Sequence, residues 1–377
     1  MKQPHRLKQH LWDQILKTYK VLDHFDFLDN DFNPALFYDW VKQWQNYNFA
    51  SNERLVVIDT DTDYYPEKSF GNNLYNFFTC CREFSIPTEF IIFVSGTFNK
   101  TKEIKQITDY FNLGLPTIYE HLYLNQHTPI QADIRNVDFN QDKIQRMFFC
   151  LNGTLRSYRG LFLCHLADLN LLDTGYFGYY FKSSIKTNPT NTVNAQSDTT
   201  VTLRSTCPSS RINDFFKKSP NDIRVFDNYF NLFNNKNMTI TDFGLNDHSD
   251  IWCLQPDFLQ HGLINIVTET AYNYPYPYMS EKTIKPILLK RAFIHLSGAG
   301  MLDVLKSFGF KTFDNIWDES YDSINDPSHR LQAVVALVQT LSKQDINELT
   351  TQVRDIVEYN YNHYIASNFK DIGMIRY

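Results

Sequence analysis

The sequence lacks two features that often mark nucleic-acid-binding and metal-binding proteins: an excess of positive charge and paired cysteines. It has 36 lysines and arginines against 42 aspartates and glutamates, a net charge of -6. Because lysine and arginine supply the affinity for phosphate backbones, this balance argues against a surface devoted to nucleic acid. The six cysteines are scattered, with no Cys-x-x-Cys pair. We therefore expect neither a structural zinc site nor a dense disulfide framework, but buried thiols in a reducing compartment.

Long apolar runs are also missing. The N-terminal stretch MKQPHRLKQHLWDQILKTYK is interrupted by charge and has no apolar segment of the kind that a secretory leader needs. The most apolar stretch, from Phe90 to Gly96, is far shorter than the roughly 20 residues that cross a bilayer. We therefore predict no membrane span and a location in the cytoplasm, either of the protein's own cell or of an infected host cell.

The sequence does contain the alternation of a two-domain α/β protein. Its 377 residues are 43% hydrophobic, enough to bury two cores. Helical spacing of apolar residues from about 7 to 22 predicts an opening helix, and short apolar strands then alternate with helical patterns. We predict an N-terminal α/β domain at 1–144, a C-terminal α/β domain at 145–341 and a helical region at 342–377, with an exposed loop or insertion at 183–210. Ligands of such open sheets bind at the carboxyl ends of strands.

Acidic residues follow the apolar run RLVVI in the N-terminal half. Asp59 and Asp61 form an Asp-x-Asp pair where this predicted strand ends. The pair is similar to the metal motif of GT-A glycosyltransferases, where acids bridge Mn²⁺ or Mg²⁺ to a diphosphate. The same acids suit the capping of a turn. In a two-domain enzyme one of them, Asp61 before Asp59, would be the general base that deprotonates an acceptor hydroxyl.

Two arginines open the C-terminal half. In LNGTLRSYRG, Arg156 and Arg159 lie three residues apart, hence on one face of a helix that follows a strand and a turn. Two guanidinium groups in this position can clamp a diphosphate through charge-assisted hydrogen bonds. The alternative is a basic face exposed to solvent.

A second group of polar residues follows a later strand. Glu269 ends the run INIVTE, and Ser280, Glu281 and Lys282 begin a predicted helix after an aromatic loop. The start of a helix suits a ribose hydroxyl or a phosphate, with Glu281 accepting from a diol and Lys282 beside phosphate. Alternatively, Glu281 complements the helix dipole, Lys282 is solvated, and Glu269 accepts hydrogen bonds from loop amides.

These segments, NGTLRSYRG, IVTETA and MSEKTIKPILLKRAFIHLSG, resemble in order and spacing the donor-binding half of the α1,3-fucosyltransferases and related GT-B glycosyltransferases. The resemblance covers about residues 147 to 320 and implies two Rossmann-like domains with a nucleotide-sugar site in the cleft between them. It also implies that Arg159, with Arg156 as its neighbour, holds the diphosphate. Glu281 would then hold the ribose, Lys282 would meet phosphate, and Glu269 would touch the sugar or order the loop.

The resemblance leaves the reaction partners open. A glycan, a protein or a modified base in DNA would serve as acceptor. The stretches AYNYPYPYM and FGFKTFDNIWDESYD depart from the fucosyltransferase pattern, so the identity of the donor sugar is open. No cofactor is required when cationic side chains neutralise the leaving group, although a divalent metal is compatible with the site. The alternatives are a metal-dependent GT-A transferase that uses Asp59 and Asp61, and a non-catalytic interaction protein that keeps the fold.

Overall fold

A computed structural model describes most of the chain. The described residues are 9–26, 34–59, 66–95, 100–121, 139–152, 157–179, 219–235, 260–269, 272, 277, 279–366 and 374–376. The chain divides into two compact units. Unit 1 comprises residues 1–128, 274–281 and 365–377, and unit 2 comprises residues 129–273 and 282–364. The predicted helical region 342–377 is therefore shared between the units, and the predicted loop at 183–210 lies outside the described residues.

Unit 1 contains a five-stranded sheet. Its strands are β1 (Lys20–Asp26), β2 (Glu53–Asp59), β3 (Ile91–Ser95), β4 (Thr117–His121) and β9 (Met374–Arg376). The order is β1-β2-β3-β4-β9, with β1 to β4 parallel and β9 antiparallel to β4. The parallel strands thus follow one another across the sheet in chain order, without a reversal of direction.

Helices cover both faces of this sheet. They are α1 (Gln9–Thr18), α2 (Pro34–Lys42), α3 (Pro66–Glu83) and α4 (Lys100–Phe111). Because side chains alternate along a strand, Val57 and Phe93 pack with α2, α3 and α4, whereas Val56 and Val94 pack with α1. Each of these four side chains is fully buried, which stabilises the unit by about 1.5 to 3 kcal/mol per side chain.

Unit 2 contains a four-stranded parallel sheet. Its strands are β5 (Arg146–Asn152), β6 (Gly175–Tyr179), β7 (Gly262–Thr268) and β8 (Ala292–Leu296). The order is β6-β5-β7-β8. Every residue of β7 and β8 is buried, as is typical of parallel strands covered on both faces. The strand after β5 lies on one side of it and the next strand on the other, so the topology reverses between β5 and β7.

The helices that lie wholly or mostly in unit 2 are α5 (Ser157–Asp168), α6 (Pro220–Asn235), α7 (Glu281–Leu288), α8 (Met301–Ser307), α9 (Pro327–Leu341) and α10 (Ile346–Ala366). The start of α9 shows how the sequence sets a boundary. Asp326 accepts a hydrogen bond from the His329 amide at 3.0 Å, and Pro327 occupies the first helical position. Within the described ranges, no helix is both long and apolar enough to cross a membrane.

A buried polar network joins three helices of unit 2. His165 of α5 lies 2.8 Å from the Asp222 carboxylate of α6, and Ser328 and Gln332 of α9 donate hydrogen bonds to the same carboxylate. Burial raises the pKa of Asp222, but these hydrogen bonds outweigh it and hold the pKa below its ordinary value. Ser328 bonds the carboxylate, unlike the serine of a Ser-His-Asp triad, which bonds the imidazole. The network is therefore not arranged as a Ser-His-Asp triad, and it links α5, α6 and α9.

The structure thus confirms that the protein is of the α/β class and has two sheets built from parallel strands, with β9 as an added antiparallel strand.

Candidate functional site

The reversal between β5 and β7 marks the most favourable position for a ligand in unit 2. Ligands of open α/β sheets bind at such a switch point, outside the carboxyl ends of the strands. Here Asn152 is the last residue of β5 and Thr268 the last of β7. The Thr268 hydroxyl donates to Asn152 Oδ1 at 2.7 Å, and both residues are buried. This bond fixes the two strand ends against each other.

Arg159 lies at the same edge of the sheet, on the first turn of α5. Its side chain is 1% exposed; Nη2 donates to the Thr268 carbonyl at 2.7 Å and Nε to the Tyr158 hydroxyl at 3.0 Å. Tyr158 in turn donates to the Glu269 carbonyl. A guanidinium group is thus held in a fixed direction, with low water access, where β7 ends. Low water access strengthens its interaction with any anion that binds nearby.

Glu269 connects three elements. It follows β7, is 0% exposed, and its Oε1 accepts a 2.5 Å hydrogen bond from the hydroxyl of Thr283 in the first turn of α7. Its backbone amide donates to the carbonyl of Leu296, the last residue of β8, at 3.1 Å. These bonds hold Glu269 between β7, β8 and α7.

The helix predicted to begin after Ser280 does begin there. Glu281 is the first residue of α7, and Ser280 is 1% exposed. Lys282, the next residue, is partly exposed. The structure describes the backbone of Glu281 but not its side chain. The direction of its carboxylate therefore lies outside the described atoms.

An aromatic stack lies next to the end of β7. Tyr158 and Tyr272 stack with ring centroids 4.5 Å apart and planes 18° from parallel. The Arg330 guanidinium lies 4.7 Å from the Tyr272 ring and donates to the Tyr272 carbonyl at 2.8 Å. The Tyr272 hydroxyl donates to the Pro327 carbonyl at 2.5 Å. This part of the loop that follows β7 is therefore anchored to α5 and α9.

Cys150 lies close to the site but is not suited to nucleophilic attack. Asn152 Nδ2 donates to its sulfur at 3.5 Å. Burial raises the pKa of the Cys150 thiol to about 12, so the reactive thiolate is scarce at neutral pH.

The glycine-rich turn after β8 is closed to an external anion. Gly300 has a left-handed backbone, φ +85°, and precedes α8. The Asp322 carboxylate accepts from the amides of Met301 and Leu302 at 3.2 and 2.9 Å. Burial raises the pKa of this carboxyl group to about 6. The acid of the chain itself thus fills the position that a phosphate would take at this helix start.

The structure places some of the predicted site residues, whereas others lie outside the described part of the chain. Arg159 and Glu269 lie together at the end of β7, joined through Tyr158, and Thr283 links Glu269 to the turn that contains Lys282. Asp59 is the last residue of β2, and only its backbone is described. Asp61 and Arg156 lie outside the described residues. Among the described residues no group of three or more His, Cys, Asp or Glu side chains could hold a metal ion.

Sequence reasoning missed several residues of the site: Asn152, Tyr158, Thr268, Tyr272, Thr283 and Arg330. Asn152 and Thr268 did carry a signal, because each is a polar residue that directly ends an apolar run.

No protein-family model, curated protein or solved structure matches this chain.

Proposed function

We propose that the protein is a glycosyltransferase that moves a sugar from a nucleotide-sugar donor to an acceptor hydroxyl. One observation carries the proposal: a buried arginine, Arg159, is fixed where the sheet of unit 2 reverses, and Glu269 ties the first turn of α7 to the same strand end. A cation and the start of a helix beside a switch point suit a nucleoside diphosphate. The two units would be the acceptor and donor halves of a GT-B enzyme.

In this proposal the cations stabilise the leaving group. Arg159, Arg156 and Lys282 neutralise the charge that develops on the diphosphate as the bond to the sugar breaks. Glu281 accepts hydrogen bonds from the ribose diol, and Ser280 precedes it at the helix start. Asp61 or Asp59 takes the proton of the acceptor hydroxyl, which belongs to a glycan, a protein or a modified base in DNA. A metal is compatible with this scheme but not required by it.

The proposed enzyme acts in the cytoplasm. Cys80, Cys81, Cys150 and Cys164 are buried free thiols, as expected in a reducing compartment.

Calorimetric titration with UDP-, GDP-, ADP- and CMP-sugars tests the proposal, and a heat of binding with one of them would identify the donor. Arg159→Lys keeps the charge but loses the fork that bonds both Thr268 and Tyr158, so donor affinity should fall about tenfold or more. Arg291→Lys is a matched control. Arg291 is also 1% exposed and donates to a backbone carbonyl, that of Gln260. It directly precedes β8, so it lies at the amino ends of the parallel strands, whereas Arg159 lies at their carboxyl ends.

The helix start is tested in the same titration. Glu281→Ala and Lys282→Ala should abolish donor binding with the fold intact, whereas Lys343→Ala, an exposed lysine between α9 and α10, should not affect it. Donor binding that survives both substitutions would place the site elsewhere. Activity that persists in EDTA would exclude the GT-A alternative. An absence of heat with every donor, together with no effect of Arg159→Ala, would favour the interaction protein.

A further inference from the structure

The bond between Thr283 and Glu269 has a role that packing alone does not explain. Thr283 and Glu269 are each 0% exposed, and the hydroxyl lies 2.5 Å from Oε1 of the carboxyl group. Thr283 is the third residue of α7, directly after Lys282. The residues of α7 that pack apolar side chains into the core are Ile284, Ile287 and Leu288. Thr283 thus adds a polar, directional contact to the apolar burial of this helix.

Helix α7 needs such a contact because it is weak by itself. It has eight residues and contains Pro286. Helices of fewer than about 12 residues are marginal in water, and their position depends on tertiary contacts. Proline has no amide hydrogen, so Pro286 cannot donate to the carbonyl four residues earlier, that of Lys282. The first turn therefore has one internal hydrogen bond fewer than an uninterrupted helix would have.

The other end of the contact is rigid. Glu269 follows a fully buried strand, its amide donates to the Leu296 carbonyl of β8, and its carbonyl accepts from Tyr158. Its side chain is therefore a fixed acceptor on the sheet, and the Thr283 hydroxyl sets the direction of the first turn of α7 relative to the strand ends. Apolar contacts cannot do this because they have no preferred direction.

We propose that Thr283 and Glu269 form a positioning pair that directs the first turn of α7, including Lys282, toward the diphosphate of the donor. The inference rests on the proposed function and deepens it. Neither residue needs to touch the ligand. Their effect falls on the phosphate part of the donor, so binding of a nucleoside diphosphate should depend on the pair, whereas binding of the corresponding nucleoside should not.

Titration of UDP, GDP and ADP, and of the corresponding nucleosides, into folded variants tests this inference. Thr283→Val keeps the shape of the side chain and removes the hydroxyl. It should weaken binding of the nucleoside diphosphate by about tenfold, the effect of one directional hydrogen bond. Thr283→Ser should restore binding, because serine again has a hydroxyl that can donate the hydrogen bond to Glu269. Thr350→Val is the matched control: Thr350 is 1% exposed and bonds the Ile346 carbonyl within α10 at 2.6 Å.

A double-mutant cycle separates a positioning pair from two independent structural residues. If Thr283 acts through Glu269, the double variant Thr283→Val, Glu269→Ala should bind no more weakly than Glu269→Ala alone. Additive losses, or a Thr283→Val protein that binds the diphosphate as the unaltered protein does, would overturn the inference and leave the proposed function standing. Failure of the unaltered protein to bind any of these nucleotides or their sugars would overturn both.

Discussion

His295 lies on β8 and is fully buried, and among the described residues its ring has no hydrogen bond. Both ring nitrogens are buried and have no partner in the described part of the chain, and the ring packs edge-on against Phe293 at 5.3 Å. Burial lowers the pKa of His295 to about 3 from an ordinary value of 6.5. The folded protein therefore keeps this histidine neutral at pH values where the unfolded chain protonates it.

This difference predicts a loss of stability in acid. Between pH 6.5 and about 3 the unfolded chain binds a proton that the folded protein does not, so this group's contribution falls as the pH falls. His295→Leu should make the loss between pH 7 and pH 5 smaller by about 2 kcal/mol. Urea unfolding of both proteins at the two pH values measures it. Asp322, with a raised pKa, has the opposite sign but is present in both proteins, so its effect cancels. Equal pH dependence in the two proteins would contradict the prediction.

At the same scale, the sequence singled out the charged residues of the candidate site, Arg159 and Glu269, and not the small polar residues beside them. Arg159 stands out as one of two arginines that follow a predicted strand and turn in LNGTLRSYRG, and Glu269 as the acid at the end of the run INIVTE. Asn152, Thr268 and Thr283 are residues that also cap turns and helices, and nothing local distinguishes these uses. The bond between Thr268 and Asn152 depends on β5 lying beside β7, where residues more than 100 positions apart meet.

Helix α6 forms two acid–base pairs that contribute very differently to the stability of the protein. In α6, Asp222 is 0% exposed and bonds His165, whereas Arg224 is half exposed and bonds Asp168 at 2.9 Å. Burial decides the difference, because a buried partner left without its acceptor bears the full cost of desolvation, while water replaces an exposed partner.

Replacing these residues should give clearly different results. Asp222→Ala should lower the free energy of unfolding by about 3 kcal/mol, because it removes the carboxylate that His165 and Ser328 bond and one of the acceptors of Gln332. Arg224→Ala should lower it by at most about 0.5 kcal/mol. Urea denaturation at neutral pH measures both. Similar losses in the two variants would mean that the buried network is not what holds α6 to α5 and α9.

Element boundaries were predictable where a local signal sets them. Asp326 with Pro327 starts α9 and Ser280 precedes α7, as the sequence indicates. The opening helix was predicted to reach residue 22, but α1 ends at Thr18 and β1 begins at Lys20. This part of the prediction was wrong because β1 is an edge strand whose charged residues, including Lys20 and Asp23, hide its alternation. Lys20 pairs with Glu53 of β2 at 2.7 Å, a contact visible only in the sheet.

At the scale of the whole molecule, local sequence patterns predicted the alternation of strands and helices but not the order of the strands. Alternation of strands and helices predicted two α/β halves, because each unit repeats a pattern of neighbouring residues. The strand order of unit 2 and the return of β9 to unit 1 were not predictable in this way. Pairing of β9 with β4 joins residues far apart in the chain through only three residue pairs, too short a run for a pattern to indicate.

Removal of residues 370–377 tests the contribution of β9. The variant loses the pairing with β4, so unit 1 should be less stable by about 1 to 2 kcal/mol. Binding of the proposed donor through Arg159, Glu269 and Lys282 should be unchanged, since these three residues belong to unit 2, whereas Ser280 and Glu281 belong to unit 1. Thermal unfolding and the nucleotide-sugar titration are the two measurements. A loss of donor affinity without a loss of stability would contradict this assignment of roles.

The pairing of β9 with β4 also affects how the protein is made. Strands β1 to β4 leave the ribosome early, and the partner of β4 follows only after the whole of unit 2 has been synthesised. Until then β4 has an unpaired edge, which is a site for pairing with other chains. Unit 2 can complete its sheet before unit 1 does. A nascent chain would thus have the complete sheet of unit 2 while the sheet of unit 1 still lacks its last strand, and this is the stage at which chaperones should bind it most strongly.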